Sequence, residues 1–126
     1  FLVIFFYPKD NTPGCTSEAK QFNDLFAEFK NMNTNIVGVS KDTIISHNKF
    51  REKLDLKFHL VSDQEGRLCD AYNVWKEKSM FGKTFLGIER SSFLVDKNLN
   101  IIHLWRKVSV SNHAKDVLNT INKIKK

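Results

Sequence analysis

The 126 residues suffice for one domain with a substantial core, and dividing them would leave pieces too small to bury one. Hydrophobic residues make up 41% and charged residues 27%, as is ordinary for a globular protein, and no stretch approaches the ~20 apolar residues of a membrane span. The net charge of +6 comes from lysines scattered among 14 acids, which predicts a solvated surface and no nucleic-acid or membrane partner.

The first predicted strand is residues 1–7, FLVIFFY, whose uniformly apolar character is expected of a central strand covered on both faces. The run is too short for a signal peptide and has no basic residues before it. Because the chain starts with Phe, we expect that N-terminal residues are missing from it. A helix over residues 13–31 follows, since apolar side chains recur at three- and four-residue steps. These are Ala19, Phe22, Leu25, Phe26 and Phe29.

Two further strand–helix pairs are predicted in the middle of the chain. The strand NIVGVS, 35–40, precedes a helix over about 42–54 with Asp42 as its cap. The inward side chains of that helix are expected to be Ile45, Phe50 and Leu54. The strand KFHLVSD, 57–63, precedes a short helix over about 64–72, and residues 73–89 are predicted to form a long loop.

The last part of the chain predicts an antiparallel hairpin and a helix. RSSFLVD, 90–96, and NIIHLWRKV, 100–108, are strand-like runs joined by a short turn, and Asn112 can cap the final helix. Its apolar stripe is Ala114, Val117, Leu118 and Ile121. Helices that alternate with strands favour a mostly parallel sheet covered on both faces. The resulting α/β order, with its terminal ββα unit, predicts a thioredoxin-like fold with residues 1–126 as a single domain.

The two cysteines, Cys15 and Cys69, lie 54 positions apart. This spacing gives no disulfide framework, no CxxC pair and no zinc-ligand pattern. It favours a reducing compartment, the cytoplasm, in which the thiols serve reactivity or packing.

The stretch around Cys15 contains both prolines of the chain. Thr12 is a good helix N-cap and Pro13 suits the first helical position, so Cys15 falls in the first turn. Free N–H groups and the helix dipole favour the thiolate there. Gly14 is expected to allow close backbone approach and to leave the thiol accessible, Pro8 to shield the pocket, and the Thr12 hydroxyl to hydrogen-bond the sulfur. The alternative is that Cys15 is an inert small hydrophobe.

These residues resemble a known enzyme family. Pro8-x-x-x-Thr12-x-x-Cys15 is similar to the peroxiredoxin active-site pattern, and FYPKDNTPGCTSEA, residues 6–19, resembles the bacterioferritin-comigratory-protein (PrxQ-like) subgroup. VWKEKSMFGKTFLGIERSSFLVD, residues 74–96, and SNHAKDVL, residues 111–118, resemble later segments of that subgroup. Members usually carry an N-terminal hairpin before the first strand, which agrees with the expected truncation.

The resemblance implies roles for five residues. Cys15 matches the peroxidatic cysteine, and Thr12 and Pro8 match their motif positions. Arg90 matches an arginine that reaches the site from a distant strand, and Glu18, a weaker match, lies where many relatives carry a carboxylate or amide beside it. Thr12, Arg90 and Glu18 are therefore the implied substrate-binding residues. An arginine is a permanent cation with five donors, suited to hold a thiolate and a peroxide oxygen.

The mechanism implied by the resemblance is that of a thiol peroxidase, an antioxidant enzyme. The Cys15 thiolate attacks one oxygen of hydrogen peroxide or an organic hydroperoxide and becomes a sulfenic acid, while water or an alcohol leaves. A thiolate with a low pKa is a weaker nucleophile, so a low pKa alone does not make the reaction fast. Thr12, Arg90 and backbone donors must therefore also stabilise the leaving oxygen. No metal or organic cofactor is required, and the subgroup suggests a monomer.

The sequence departs from many members of the subgroup in its second cysteine. Lys20 occupies the position, five residues after Cys15, where many relatives have a resolving cysteine. The predicted helix 42–54, where others carry it, has none, and Cys69 matches neither place. Burial is the expected role of Cys69. We therefore predict a one-cysteine enzyme that is reduced by an external thiol, either thioredoxin, glutaredoxin or glutathione.

Two other functions remain open at this point. A thioredoxin-fold thiol–disulfide oxidoreductase would need a second cysteine near Cys15 and a cis-proline facing the site, yet no proline follows Pro13. A non-catalytic binding module would not need Thr12, Cys15 and Arg90 together. The four histidines, at 47, 59, 103 and 113, are expected to serve packing or the surface.

Overall fold

The strands and helices of the protein alternate much as the sequence predicts, in a computed structural model that describes residues 1–125. The strands are β1 (Leu2–Phe6), β2 (Asn35–Ser40), β3 (His59–Ser62), β4 (Trp75–Met80), β5 (Lys83–Ile88), β6 (Ser91–Val95) and β7 (Ile101–Trp105). The helices are α1 (Pro13–Asp24), α2 (Phe26–Asn31), α3 (Ile44–Leu54), α4 (Arg67–Ala71) and α5 (His113–Lys125).

The central sheet has five strands in the order β3-β2-β1-β6-β7. β1 pairs in parallel with β2, and β2 with β3, whereas β6 runs antiparallel to both β1 and β7. Only β6 therefore opposes the common strand direction. This is the thioredoxin-like arrangement with a C-terminal antiparallel hairpin that the element order predicts.

Each face of the sheet carries its own core because alternate side chains of β1 point in opposite directions. On one face Val3, Phe5 and Tyr7 pack with buried side chains of α1, α3 and α5. On the other face Ile4 and Phe6 pack with Cys69 of α4 and with Ile88 of β5. Helices thus cover both faces, and the two cysteines belong to different cores.

The helix predicted over residues 13–31 is interrupted at Leu25. Its backbone, with φ −98° and ψ 7°, leaves the helical region, so α1 ends at Asp24 and α2 starts at Phe26. Phe22 and Phe29, on either side of the break, are both fully buried. Apolar periodicity follows the buried face across this kink and therefore does not reveal it.

The cap predicted for the helix over 42–54 is wrong by one residue. Thr43 is the N-cap of α3, and its hydroxyl accepts a hydrogen bond from the Ser46 N–H. Asp42 instead accepts hydrogen bonds from the Ser40 hydroxyl and the Asp10 N–H. Ile45 was predicted to face inward but is 69% exposed, because it lies five residues before Phe50 and so does not share the helix face on which His47 and Phe50 are buried.

The long loop predicted over residues 73–89 is instead an antiparallel hairpin of β4 and β5. Its turn places Phe81 at φ 53° and Gly82 at φ 76°. Left-handed conformations suit glycine but are rare for an aromatic residue, so the sequence Phe-Gly gave no hairpin signal. The hairpin starts beside Val74 and leads back to Arg90.

The C-terminal elements agree with the sequence prediction. β6 and β7 form the expected hairpin, and the predicted stripe of α5 is buried. Among residues 1–125, no helix combines the length and the apolar character that crossing a membrane requires.

Candidate active site

The first turn of α1 holds Cys15, as the sequence predicts. Thr12 is the N-cap with an extended backbone, and Pro13 occupies the first helical position. The Thr12 carbonyl accepts the Thr16 N–H at 2.9 Å, which closes the first turn. Cys15 is thus the third helical residue, among N–H groups that have no partner within the helix.

Arg90 approaches Cys15 from the segment between β5 and β6. Its Nη2 lies 3.4 Å from the Cys15 sulfur, within hydrogen-bond distance for sulfur. The backbone there is fixed, since the Arg90 carbonyl accepts the Val108 N–H at 2.9 Å. A Cβ added at Gly14 would lie only 3.2 Å from Arg90 Nη2, so a glycine at this position leaves the guanidinium its room.

Glu18 binds the other arm of the same guanidinium. Arg90 Nη1 donates to Glu18 Oε1 at 2.7 Å, and the Glu18 side chain is fully buried one turn after Cys15. Its second oxygen, Oε2, has no hydrogen-bond partner among residues 1–125. Burial raises the pKa of Glu18 to about 7, although the charge and hydrogen bond of Arg90 oppose this rise. Arg90 is therefore shared between a thiol and a carboxyl group that titrates near neutrality.

Thr12 and Pro8 lie in the segment before α1, but the predicted hydrogen bond from the Thr12 hydroxyl to the sulfur is not the one formed. That hydroxyl donates to the Lys9 carbonyl at 2.8 Å, which leaves its oxygen lone pairs as acceptors. Pro8 is half-buried. The expectation that Gly14 leaves the thiol accessible is also wrong, because Cys15 is only 1% exposed. The room beside Gly14 is filled by Arg90 rather than by solvent.

Cys69 lies on the opposite face of the sheet from Cys15. It is fully buried in α4, and its N–H donates to Asp63 Oδ2 at 2.8 Å. Burial first, and then the hydrogen bond and charge of Asp63, raise the pKa of Cys69 to about 12. Cys69 is consequently a neutral packing residue in this fold, as predicted.

Two groups that lie near Arg90, Lys78 and His113, were given no part in the site by the sequence analysis. Lys78 of β4 donates from Nζ to the Ile88 carbonyl at 2.8 Å. Burial and the charge of Arg90 lower the pKa of Lys78, and Cys15 opposes this. His113 bonds the Ser92 hydroxyl at 2.7 Å, and burial lowers its pKa to about 4, so the ring is neutral. Recognising Lys78 required the β4–β5 hairpin, which the sequence did not predict.

Comparisons with known proteins show the family to which this chain belongs. The sequence profile of the AhpC/TSA family matches residues 1–104. Peroxiredoxin Bcp of Bacillus subtilis is 48% identical over 121 residues, which cover 96% of this chain and 77% of the relative. Peroxiredoxin Bcp of Xanthomonas campestris is 51% identical over 118 residues, covering 94% of this chain and 74% of the relative.

The chain belongs to the peroxiredoxins. A solved structure of the Xanthomonas campestris bacterioferritin comigratory protein, studied for alkyl peroxide reduction, superimposes with a TM-score of 0.94 at 48% identity. The match covers 99% of this chain and 80% of that one. The peroxidoxin BcpB of Mycobacterium tuberculosis gives a TM-score of 0.86 at 32% identity, covering 98% and 79%. This peroxiredoxin is accordingly a thiol-dependent peroxidase, with a hydroperoxide as substrate and a thiol as reductant.

Glu18→Gln is expected to stabilise this peroxiredoxin relative to the wild type as the pH rises. A pKa raised from 4.5 to about 7 means that the folded protein holds a proton that the unfolded chain releases. The wild type therefore loses stability between these pH values, whereas the glutamine amide of the variant does not titrate. The difference should grow by about 2–3 kcal/mol between about pH 4 and about pH 8. Urea unfolding at both pH values measures it.

Glu28→Gln, which changes an exposed carboxylate of α2, is the matched control and should follow the wild type at both pH values. If the free energy of unfolding changed with pH equally in the wild type and in Glu18→Gln, the pKa of Glu18 would be the same in the folded and unfolded chains, and the prediction would be wrong.

Proposed function

We propose that Cys15 is the residue that attacks the hydroperoxide, with Arg90, Glu18, Thr12 and Pro8 arranging the site around it. The observation that carries this proposal is the forked contact of Arg90. One nitrogen lies 3.4 Å from the Cys15 sulfur and the other 2.7 Å from the Glu18 carboxyl group. The fork fixes a permanent cation beside the sulfur, where it stabilises the thiolate and the charge that develops on a peroxide oxygen.

The proposed first step is a displacement on one peroxide oxygen. The Cys15 thiolate forms an S–O bond while the O–O bond breaks, so the sulfur is oxidised by two electrons and the peroxide is reduced by two. The departing alkoxide or hydroxide takes up a proton from water, which balances the proton that the Cys15 thiol releases on ionising, and leaves as an alcohol or water. Thr12, whose hydroxyl proton is directed at Lys9, can accept a hydrogen bond from the proton of the hydroperoxide.

The second half of the proposed cycle uses an external thiol. That thiol attacks the Cys15 sulfenic acid, forms a mixed disulfide and releases water, and a second thiol then restores Cys15 and leaves as a disulfide. The one-cysteine cycle is supported by the exposed Lys20 in α1 and by the place of Cys69 across the sheet. We further infer that residues 1–126 act as a single domain, as a monomer and in the cytoplasm, where reducing thiols are abundant.

A peroxide-consumption assay with thioredoxin, glutaredoxin or glutathione as the only reductant tests this cycle and identifies the reductant. Turnover that depends on Cys15 and on one of the three thiols supports the proposal. Oxidation of Cys15 by peroxide followed by failure of all three to restore it would refute the proposed reductants.

Peroxide without reductant is expected to leave Cys15 as a sulfenic or sulfinic acid and Cys69 as a free thiol. A disulfide needs Cα atoms within roughly 7 Å, and the sheet separates the two cysteines. Intact-mass and peptide mass spectrometry under non-reducing conditions make the measurement. The Cys69→Ala variant is the control and should gain the same oxygen atoms. A peptide pair joined through Cys15 and Cys69 would contradict the one-cysteine cycle and show that the fold opens during it.

A further inference from the structure

Asp10 is a buried carboxylate in the segment between β1 and α1 that carries Pro8 and Thr12. It is 5% exposed and accepts three side-chain hydrogen bonds. The donors are the Tyr7 hydroxyl at 2.6 Å, the Ser46 hydroxyl at 2.8 Å and His47 Nδ1 at 2.8 Å. So many partners indicate a fixed position for Asp10.

His47 completes a buried ion pair with this carboxylate. Its Nδ1 faces Asp10, and its Nε2 faces the Val61 carbonyl at 3.1 Å. Both partners are acceptors, so both ring nitrogens carry protons and the ring is charged. Burial alone would lower the pKa of His47, but the hydrogen bond and charge of Asp10 raise it. Burial would likewise raise the pKa of Asp10, but hydrogen bonds from His47 and Tyr7 lower it.

The pair joins the segment before α1 to α3, far away in the sequence. The Asp10 N–H adds a second link, to Asp42 Oδ2 at 2.8 Å, just before α3. Asn11, next to Asp10, has φ 62°, and Thr12 then bonds back to the Lys9 carbonyl. The turn that ends at Thr12 is thus anchored through Asp10.

We propose that Asp10 and His47 are positioning residues for peroxide reduction, which hold the segment of Pro8 and Thr12 against α3 without touching the reacting atoms. The proposal rests on the function proposed for Cys15. A shift of about 1 Å in groups that orient a substrate can cost about a hundredfold in rate, so the pair matters for peroxide more than for simple thiol chemistry.

Two amide substitutions at His47 separate the contacts of the ring. The amide nitrogen of His47→Asn lies near the place of Nδ1 and can still donate to Asp10. The amide nitrogen of His47→Gln lies near the place of Nε2 and can donate to Val61 while the link to Asp10 is lost. His47→Gln should slow the oxidation of Cys15 by hydrogen peroxide at least about tenfold, and His47→Asn by less than about threefold.

The rate of Cys15 alkylation by iodoacetamide is the readout that distinguishes positioning from a structural role. Both reactions use the Cys15 thiolate, but only peroxide reduction needs an oriented O–O bond. We expect the ratio of the peroxide rate to the alkylation rate to fall in His47→Gln and to persist in His47→Asn. An equal ratio in both variants and the wild type would overturn the proposal. A wild type that peroxide does not oxidise at Cys15 would instead refute the proposed function.

The pH dependence of the wild type keeps the test available if His47→Gln does not fold. The raised pKa of His47 means that its charge is fully present below about pH 6.5 and is lost as the pH rises through the higher value in the folded protein. The titratable groups that face it are Asp10, Asp42 and Tyr7. Glu18, which also titrates in this range and binds Arg90, is present in both proteins, so the comparison between them isolates His47. The peroxide-to-alkylation ratio should fall more steeply with rising pH in the wild type than in His47→Asn. Equal slopes in the two proteins would contradict the proposal.

Discussion

Cys15→Ser is expected to abolish peroxide consumption while the protein remains folded. A serine hydroxyl is protonated at neutral pH and is a weak nucleophile without an adjacent base. The side chain is 1% exposed, and its replacement should cost about 1–2 kcal/mol, from the burial of a hydroxyl with few partners. Peroxide consumption in the presence of excess thiol gives the activity, and thermal unfolding gives the stability.

Cys69→Ala is the matched control, because it removes the other buried thiol. Its activity should equal that of the wild type, at a stability cost of about 1–2 kcal/mol for the space left in the second core. Turnover by Cys15→Ser that disappears in the double variant would assign the chemistry to Cys69 and refute the proposed site.

Arg90→Met should slow the oxidation of Cys15 by peroxide at least about tenfold, since one charge-assisted hydrogen bond supplies the ~1.4 kcal/mol that this factor requires. The guanidinium lies 3.4 Å from the sulfur, and methionine keeps similar length and apolar packing without the charge. Stopped-flow measurement of the oxidation rate tests this expected loss.

Two further variants separate the charge near Cys15 from other effects of Arg90→Met. Arg106→Met removes an exposed arginine with backbone contacts to Tyr72 and Asn73, and its rate should match the wild type. Glu18→Gln combined with Arg90→Met avoids a buried, unpaired carboxylate and should fold well but remain slow. A rate in the double variant equal to that of the wild type would exclude a part for Arg90 in the reaction.

The helix start at Cys15 was predictable because its signals are local. Thr12 and Pro13 are a cap and a first-turn residue in consecutive positions, and they require no knowledge of the rest of the chain. Arg90 is 75 positions away, and only the resemblance to a known family connected it with Cys15. Strands β1, β2 and β6 of the central sheet were likewise predictable, because their apolar runs match their burial between the two layers of helices.

The remaining features of the site depend on contacts that no local pattern encodes. His47 and Asp10 are 37 positions apart, and neither residue by itself indicates that the two form a buried pair. Lys78 lies in a strand, WKEKSM, whose polar composition does not predict a strand. Arg90 occupies the room beside Gly14 and Cys15 is almost fully buried, and both features are matters of tertiary packing.

The separation of Cys15 and Cys69 by the central sheet has a consequence for the number of catalytic cycles that each molecule completes before it is inactivated. In the proposed one-cysteine cycle, an oxidised Cys15 has two bimolecular fates, which are rescue by a dissolved thiol or further oxidation by another peroxide to the sulfinic acid. The number of turnovers before inactivation is then expected to follow the ratio of thiol to peroxide in the surroundings. When peroxide is added in excess over the thiol, a fraction of the molecules should be inactivated as the sulfinic acid. That fraction should increase with the amount of excess peroxide.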